Sequence, residues 1–188
     1  MTTTTAENDL EKLKIELASS IREFPDFPKK GILFRDIMPI FQKPQLVTNL
    51  CVAIAAHAVA EIPVPVDAVA GLEARGFLFG PQIAAILNVP FIPIRKQGKL
   101  PGKTVRATYV KEYGEDVVEV QSDALKPGAK VMIVDDLLAT GGTMKAAIEV
   151  IQKAGGDVAE AFCIIELAAL KGRDVLLDTV PVFTLLSF

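Results

Sequence analysis

Apolar side chains recur every three or four residues from Leu10 through Leu13, Leu17 and Ile21 to Phe24. This spacing predicts an amphipathic helix over 8–24, opened by a capping box of Asn8 and Glu11 and stopped by Pro25. The prolines and glycine of PDFPKKG then favour an irregular or extended path before GILFRDI. Leu46, Leu50, Ile54 and Ala58 mark a second helix from Pro44 to about Ala60. Beyond it the pattern changes: DAVAGL, PFIPI, KVMIVD, AFCII and VFTLL are short runs rich in Val, Ile and Phe, with the length of strands buried on both faces. The helical segments FLFGPQIAAIL and TMKAAIEVIQKAGG separate successive runs. Such alternation predicts an α/β fold, a central and mostly parallel sheet flanked by helices. TVRATYVKEYGEDVVEVQ interrupts it with two period-two segments around a polar turn near Gly114, a hairpin expected to make an excursion from the sheet.

A chain of 188 residues is long enough to bury a core of its own, and a single domain over 1–188 is expected. Its mean hydropathy of +0.38 is high, but charges are spread throughout and no run of about 18 apolar residues appears, so no membrane span is expected. The N-terminus MTTTTAENDLEK has neither the basic and apolar segments of a secretory signal nor the character of a transit peptide, so a cytoplasmic location is expected. A net charge of −3 offers no general attraction for nucleic acid. Cys51 and Cys163 sit in apolar contexts without metal-ligand spacing and read as buried free thiols. His57, the sole histidine, falls in the apolar helix CVAIAAHAVA and reads as structural.

Chemistry concentrates in VMIVDDLLATGGT, residues 131–143. An apolar strand delivers Asp135 and Asp136, and the small-residue loop Ala139, Thr140, Gly141, Gly142 opens a helix at about Thr143. Small residues let backbone N–H groups approach a phosphate, a helix N-terminus adds positive potential, and Thr140 and Thr143 supply hydroxyl donors. Ionised carboxylates accept hydrogen bonds from a pair of ribose hydroxyls and favour a developing positive charge. The stretch therefore predicts a site for a phosphorylated ribose.

This segment resembles the phosphoribosyl-pyrophosphate motif of type I phosphoribosyltransferases. Together with IREFPDFPKKGILFRDI, AGLEARGFLFG, RKQGKLPG and KEYG, in that order, it makes almost the whole chain similar to the adenine phosphoribosyltransferases. The resemblance implies a small N-terminal hood over about 8–40 and a mobile hairpin loop over about 98–121. It implies transfer of ribose 5-phosphate from 5-phosphoribosyl 1-pyrophosphate to adenine, giving AMP and pyrophosphate, with Mg2+ held mainly by substrate phosphates and water rather than by protein ligands. Ala139 to Thr143 would hold the 5-phosphate and Asp135 and Asp136 the ribose. The backbone of Leu33 would read the adenine edge, with Phe34 and Arg35 around it. Arg75, with the N–H groups of Ala74 and Arg75, would face pyrophosphate, as would the basic residues Arg95, Lys96 and Lys99, partly across a homodimer interface. Glu112 and Tyr113 match the family's lid, Glu112 as the candidate for exchanging a proton with the purine. The chain departs from the usual pattern at Lys30, where a proline commonly precedes the glycine.

Two other classes compete. A nucleotide-triphosphate hydrolase would use VMIVDD to hold magnesium, but GKLPGKT at 98–104 is one residue short of the phosphate loop it needs, contains Pro101 and precedes strand-like sequence. A regulator that only senses a nucleotide could keep the fold without the lid, whereas Arg75, Lys99, Glu112, Tyr113 and both aspartates are all present.

Overall fold

Residues Val131 to Val134 have no exposed surface, and neither do Val69 and Ala70, because strands covered by helices on both faces must be apolar on both. In the computed structural model, which describes residues 3–111, 114–176 and 180–188, these two runs lie at the centre of a sheet. The chain forms two compact units, Met1–Ile54 and Ala55–Phe188.

The larger unit holds β3 (Ala68–Leu72), α4 (Gly80–Leu87), β4 (Phe91–Lys96), β5 (Thr104–Lys111), β6 (Gly114–Gln121), β7 (Lys130–Leu138), α5 (Gly142–Lys153), β8 (Asp157–Glu166) and β9 (Val182–Ser187). Among the described residues the strand order is β5-β6-β4-β3-β7-β8-β9, with β4, β3, β7, β8 and β9 parallel. Helix boundaries follow local chemistry. Pro81 stands in the first turn of α4, where its missing N–H costs nothing, and Asn88 ends the helix in the left-handed region at φ 57°. Gly141 caps α5 at φ 82°. Gly80 is required by a close approach, since a methyl there would lie 2.6 Å from the Phe91 ring.

The core joins the central strands to the buried face of α5 through Ala146, Ala147, Val150 and Ile151. Ile133→Ala would leave a cavity under this helix, and urea unfolding is expected to show a loss of about 2–5 kcal/mol. His57 serves the fold too. Its ring stacks on Phe183 at 3.7 Å and its Nε2 contacts both oxygens of Glu160, at 2.9 and 3.0 Å, so it links the helix Pro44–Glu61 to β8 and β9. Both cysteines are buried and outside any disulfide, and burial pushes the Cys51 thiol up to about 11.

The smaller unit contains α1 (Thr3–Ser20), β1 (Arg22–Pro25), β2 (Leu33–Asp36), α2 (Met38–Phe41) and the start of α3 (Pro44–Glu61). Here the periodicity misleads. The first helix ends at Ser20, not Phe24, and Arg22–Pro25 is a strand paired with β2. Ile21 and Phe24 fit either spacing, but the cross-strand partners decide: Arg22 pairs with Asp36 and Glu23 with Arg35. Those partners lie more than ten residues downstream, beyond any local pattern. Asn8 and Glu11 are inside α1 rather than at its start, and Glu11 instead accepts a hydrogen bond from Lys14 Nζ at 2.8 Å.

The hairpin β5–β6 also departs from expectation, because it continues the sheet rather than leaving it. β4 presents an open edge, and β6 pairs with it antiparallel through Arg95–Glu119 and Lys96–Val118.

Candidate active site

The first two parallel strands, β3 and β4, run outward from the sheet centre on one side, while β7, β8 and β9 follow on the other. The direction of winding reverses between β3 and β7, and in open α/β sheets a crevice forms beyond the carboxyl ends of the strands at that point. A cavity of about 270 Å³ lies there. The end of β3 contributes Glu73, Ala74 and Arg75, the end of β4 contributes Lys96, and β7 with its loop contributes 135–144. Ten of the residues singled out in the sequence thus share one space: Ala74, Arg75, Lys96, Asp135, Asp136, Ala139, Thr140, Gly141, Gly142 and Thr143.

β7 extends through both aspartates to Leu138, so they stand on a rigid strand and not in a loop. Asp135 Oδ1 accepts the Asp136 N–H at 2.9 Å, and Asp136, almost wholly buried, takes Arg75 Nε at 3.0 Å. Burial lifts both carboxyls above the usual range. The neighbouring charge of Asp136 lifts Asp135 further, while Arg75 partly offsets the rise at Asp136.

The loop 139–142 is held tightly against a 3-10 turn at Gly172–Val175. Gly141 and Gly172 touch backbone to backbone. A methyl on Gly141 would overlap the Gly172 carbonyl oxygen, and one on Gly172 would overlap that of Ala139. The turn cannot yield easily, because Arg173 bonds Glu166 through Nη2 at 2.6 Å and Nε at 3.1 Å and reaches the Val182 carbonyl at 2.6 Å. The Arg173 guanidinium holds the Glu166 carboxyl below its usual range.

Glu73 organises the basic residues. It accepts Arg95 Nε and the Lys96 N–H, each at 3.1 Å, and stands 3.6 Å from Lys99 Nζ. Arg95 and Lys99 are thereby gathered at the rim rather than among the cavity-lining side chains. Leu33, Phe34 and Arg35 belong to the smaller unit. Leu33 sits half exposed at the end of β2 opposite Pro25, Phe34 meets Phe27 edge-on at 5.1 Å, and Arg35 pairs with Glu23. Glu112 and Tyr113 lie outside the described residues.

Sequence reasoning missed Tyr109 and Gly172. Tyr109 lines the cavity from β5, its hydroxyl donating to Asp116 Oδ2 at 3.1 Å. The alternation Val105, Ala107, Tyr109 was the available signal, since all three share the inward face. Gly172 carries no sequence signal, because its role depends on a distant loop lying against it.

Comparison with known proteins agrees with this geometry. Residues 41–181 match the phosphoribosyl transferase domain family. The chain is 60% identical over 178 residues to an adenine phosphoribosyltransferase of Caenorhabditis elegans, covering 95% of both chains. It superposes on the Saccharomyces cerevisiae adenine phosphoribosyltransferase, solved with adenine and an imino-altritol bisphosphate, with a TM-score of 0.90. That pair is 45% identical and covers 93% of this chain and 99% of the yeast chain. For the Trypanosoma brucei enzyme, solved with AMP, pyrophosphate and ribose-5-phosphate, the TM-score is 0.85 at 28% identity, over 93% of this chain and 79% of that one. With a family model matched over most of the chain and relatives of that activity similar to it across nearly the full length, the chain belongs to the adenine phosphoribosyltransferases.

Proposed function

We infer that this chain transfers the ribose 5-phosphate of 5-phosphoribosyl 1-pyrophosphate to adenine, releasing pyrophosphate and forming AMP for purine salvage. The observation that carries this reading is the cavity in which β7 leads Asp135 and Asp136 directly into the 139–143 loop, facing Ala74, Arg75 and Lys96. The yeast and trypanosome relatives, solved with adenine and with AMP, pyrophosphate and ribose-5-phosphate, support the substrates.

The 5-phosphate rests on the N–H groups of 139–143 at the start of α5, a position that favours an anion. Asp135 and Asp136 accept hydrogen bonds from the ribose hydroxyls. As the bond to pyrophosphate lengthens, positive charge grows on the ribose, and carboxylates whose charge is costly alone are those most relieved by its arrival. Arg75, Lys96 and the rim cations Arg95 and Lys99 take the negative charge that accumulates on pyrophosphate. The attacking nitrogen belongs to adenine, so no protein nucleophile is needed. Leu33 reads the base through its main chain, with Phe34 and Arg35 about it, and Glu112 with Tyr113 closes over the reaction centre and exchanges the purine proton.

Mg2+ is proposed as the cofactor, held by substrate phosphates and water. The acidic, oxygen-bearing lining of Asp135, Asp136, Thr140 and Thr143 suits a hard, hydrated cation. Bound there it would neutralise the leaving pyrophosphate. A homodimer and a cytoplasmic location complete the proposal. Among the described residues no helix is long and apolar enough to cross a membrane.

The test is AMP formation from adenine and 5-phosphoribosyl 1-pyrophosphate, expected with Mg2+, lost on chelation and restored by adding Mg2+ back. Turnover of only hypoxanthine or guanine would overturn the base assignment. ATP hydrolysis without AMP formation would favour the hydrolase.

A further inference from the structure

Glu119 lies in β6 with no exposed surface, yet it carries a charge that the chemistry just described does not use. Its Oε1 accepts three successive backbone N–H groups, from Gly98 at 2.9 Å, Lys99 at 3.1 Å and Leu100 at 3.2 Å. Its Oε2 accepts the Thr104 hydroxyl and Arg106 Nε, each at 3.1 Å. Consecutive N–H groups converging on one point form a concave anion site, and the left-handed Gly98, at φ 79°, gives the backbone its curl. The anion in this one is supplied by the chain itself. Burial alone would raise the Glu119 carboxyl, but bonds from Leu100, Thr104, Arg106 and Lys99 bring it below its usual range, so it stays charged. From the other side Arg95 donates to the Lys99 carbonyl at 3.2 Å and to Glu73.

We propose that Glu119 is a positioning residue for pyrophosphate, its carboxylate fixing the backbone of residues 98–100 so that Lys99 and Lys96 are presented to the leaving group. This rests on the assignment of the 95–99 segment to pyrophosphate. Glutamine does not serve in place of Glu119, because one oxygen becomes an NH2 that faces either the three N–H groups or the Arg106 guanidinium, which can only donate. The loop then loses its fixed geometry while the phosphate loop at 139–142, built on β7, is untouched.

The experiment measures pyrophosphate inhibition, KM for 5-phosphoribosyl 1-pyrophosphate and the dissociation constant of AMP in Glu119→Gln, with Lys99→Ala as a control. Glu119→Gln is expected to weaken both pyrophosphate-bearing ligands about ten-fold or more, as small misplacements of charged groups do, and to change AMP binding less than about two-fold. If Glu119→Gln fails to fold, Gly98→Ala carries the same test: its added methyl meets nothing within 4 Å, but its backbone angle is strained for alanine. Equal weakening of all three ligands, or no change, overturns the proposal. If Lys99→Ala alone weakens pyrophosphate, the segment's assignment stands and the role of Glu119 falls. If Lys99→Ala has no effect, the assignment itself falls and the proposal with it.

Discussion

Asp135→Asn combined with Asp136→Asn is expected to lower kcat about 10²–10³-fold, the scale of lost charge stabilisation at a reacting centre, without lowering thermal stability at pH 7. The stability half follows from linkage. Both carboxyls titrate above their ordinary value of 3.8 because burial disfavours their charge, so the folded chain binds protons more readily than the unfolded one. Stability contributed by the protonated forms is full below pH 3.8 and is lost as pH climbs through the raised values, leaving a cost at neutral pH. Asparagine removes that cost while keeping an oxygen to accept the Asp136 N–H. The variant should therefore melt at or above the parent temperature at pH 7, with the difference closing below about pH 4. Near-normal turnover would refute the ribose assignment, and a lowered melting temperature would show that the pair supports the fold instead.

Gly172→Ala is the second large expected effect. The new methyl would overlap the Ala139 carbonyl oxygen and stand 2.9 Å from the Gly141 nitrogen, and Arg173 keeps the turn from backing away. Overpacking of this kind costs about 1–3 kcal/mol of stability unless the 139–141 loop shifts, and a shift misplaces its N–H groups, so AMP and 5-phosphoribosyl 1-pyrophosphate should each bind roughly ten-fold more weakly. Pyrophosphate inhibition should hardly change, the mirror image of Glu119→Gln. Calorimetry suits the AMP measurement, because the chain has no tryptophan to report binding by fluorescence. Unchanged AMP affinity would mean that the phosphate does not rest on this loop.

These two substitutions mark where the sequence was legible and where it was not. The central strands were readable because burial on both faces demands unbroken apolar runs, and α3 because Leu46, Leu50 and Ile54 keep helical spacing between clear stops. VMIVDDLLATGGT was readable because strand, acids, loop and helix follow one another without interruption. What escaped depends on contacts between distant segments. Arg22–Pro25 is a strand only because Leu33–Asp36 lies beside it, and the hairpin joins the sheet only because β4 has an edge to offer. Glu119 looks like any charge in an alternating strand until the amides of 98–100 close on it. Gly172 looks like an ordinary turn glycine until the 139–142 loop lies against it.

The pairing at the sheet centre bears on how activity arises. Ala68 lies beside Val131 and Gly71 beside Val134, so β3, which leads to Arg75, and β7, which carries the aspartates, meet only after a long intervening stretch of chain has been closed. Loop-closure entropy opposes that meeting until the rest of the sheet rewards it, and parallel pairings of this range form slowly. No stretch of local structure brings Arg75 beside Asp136, so their ion pair forms only once distant parts of the chain have been joined through the sheet.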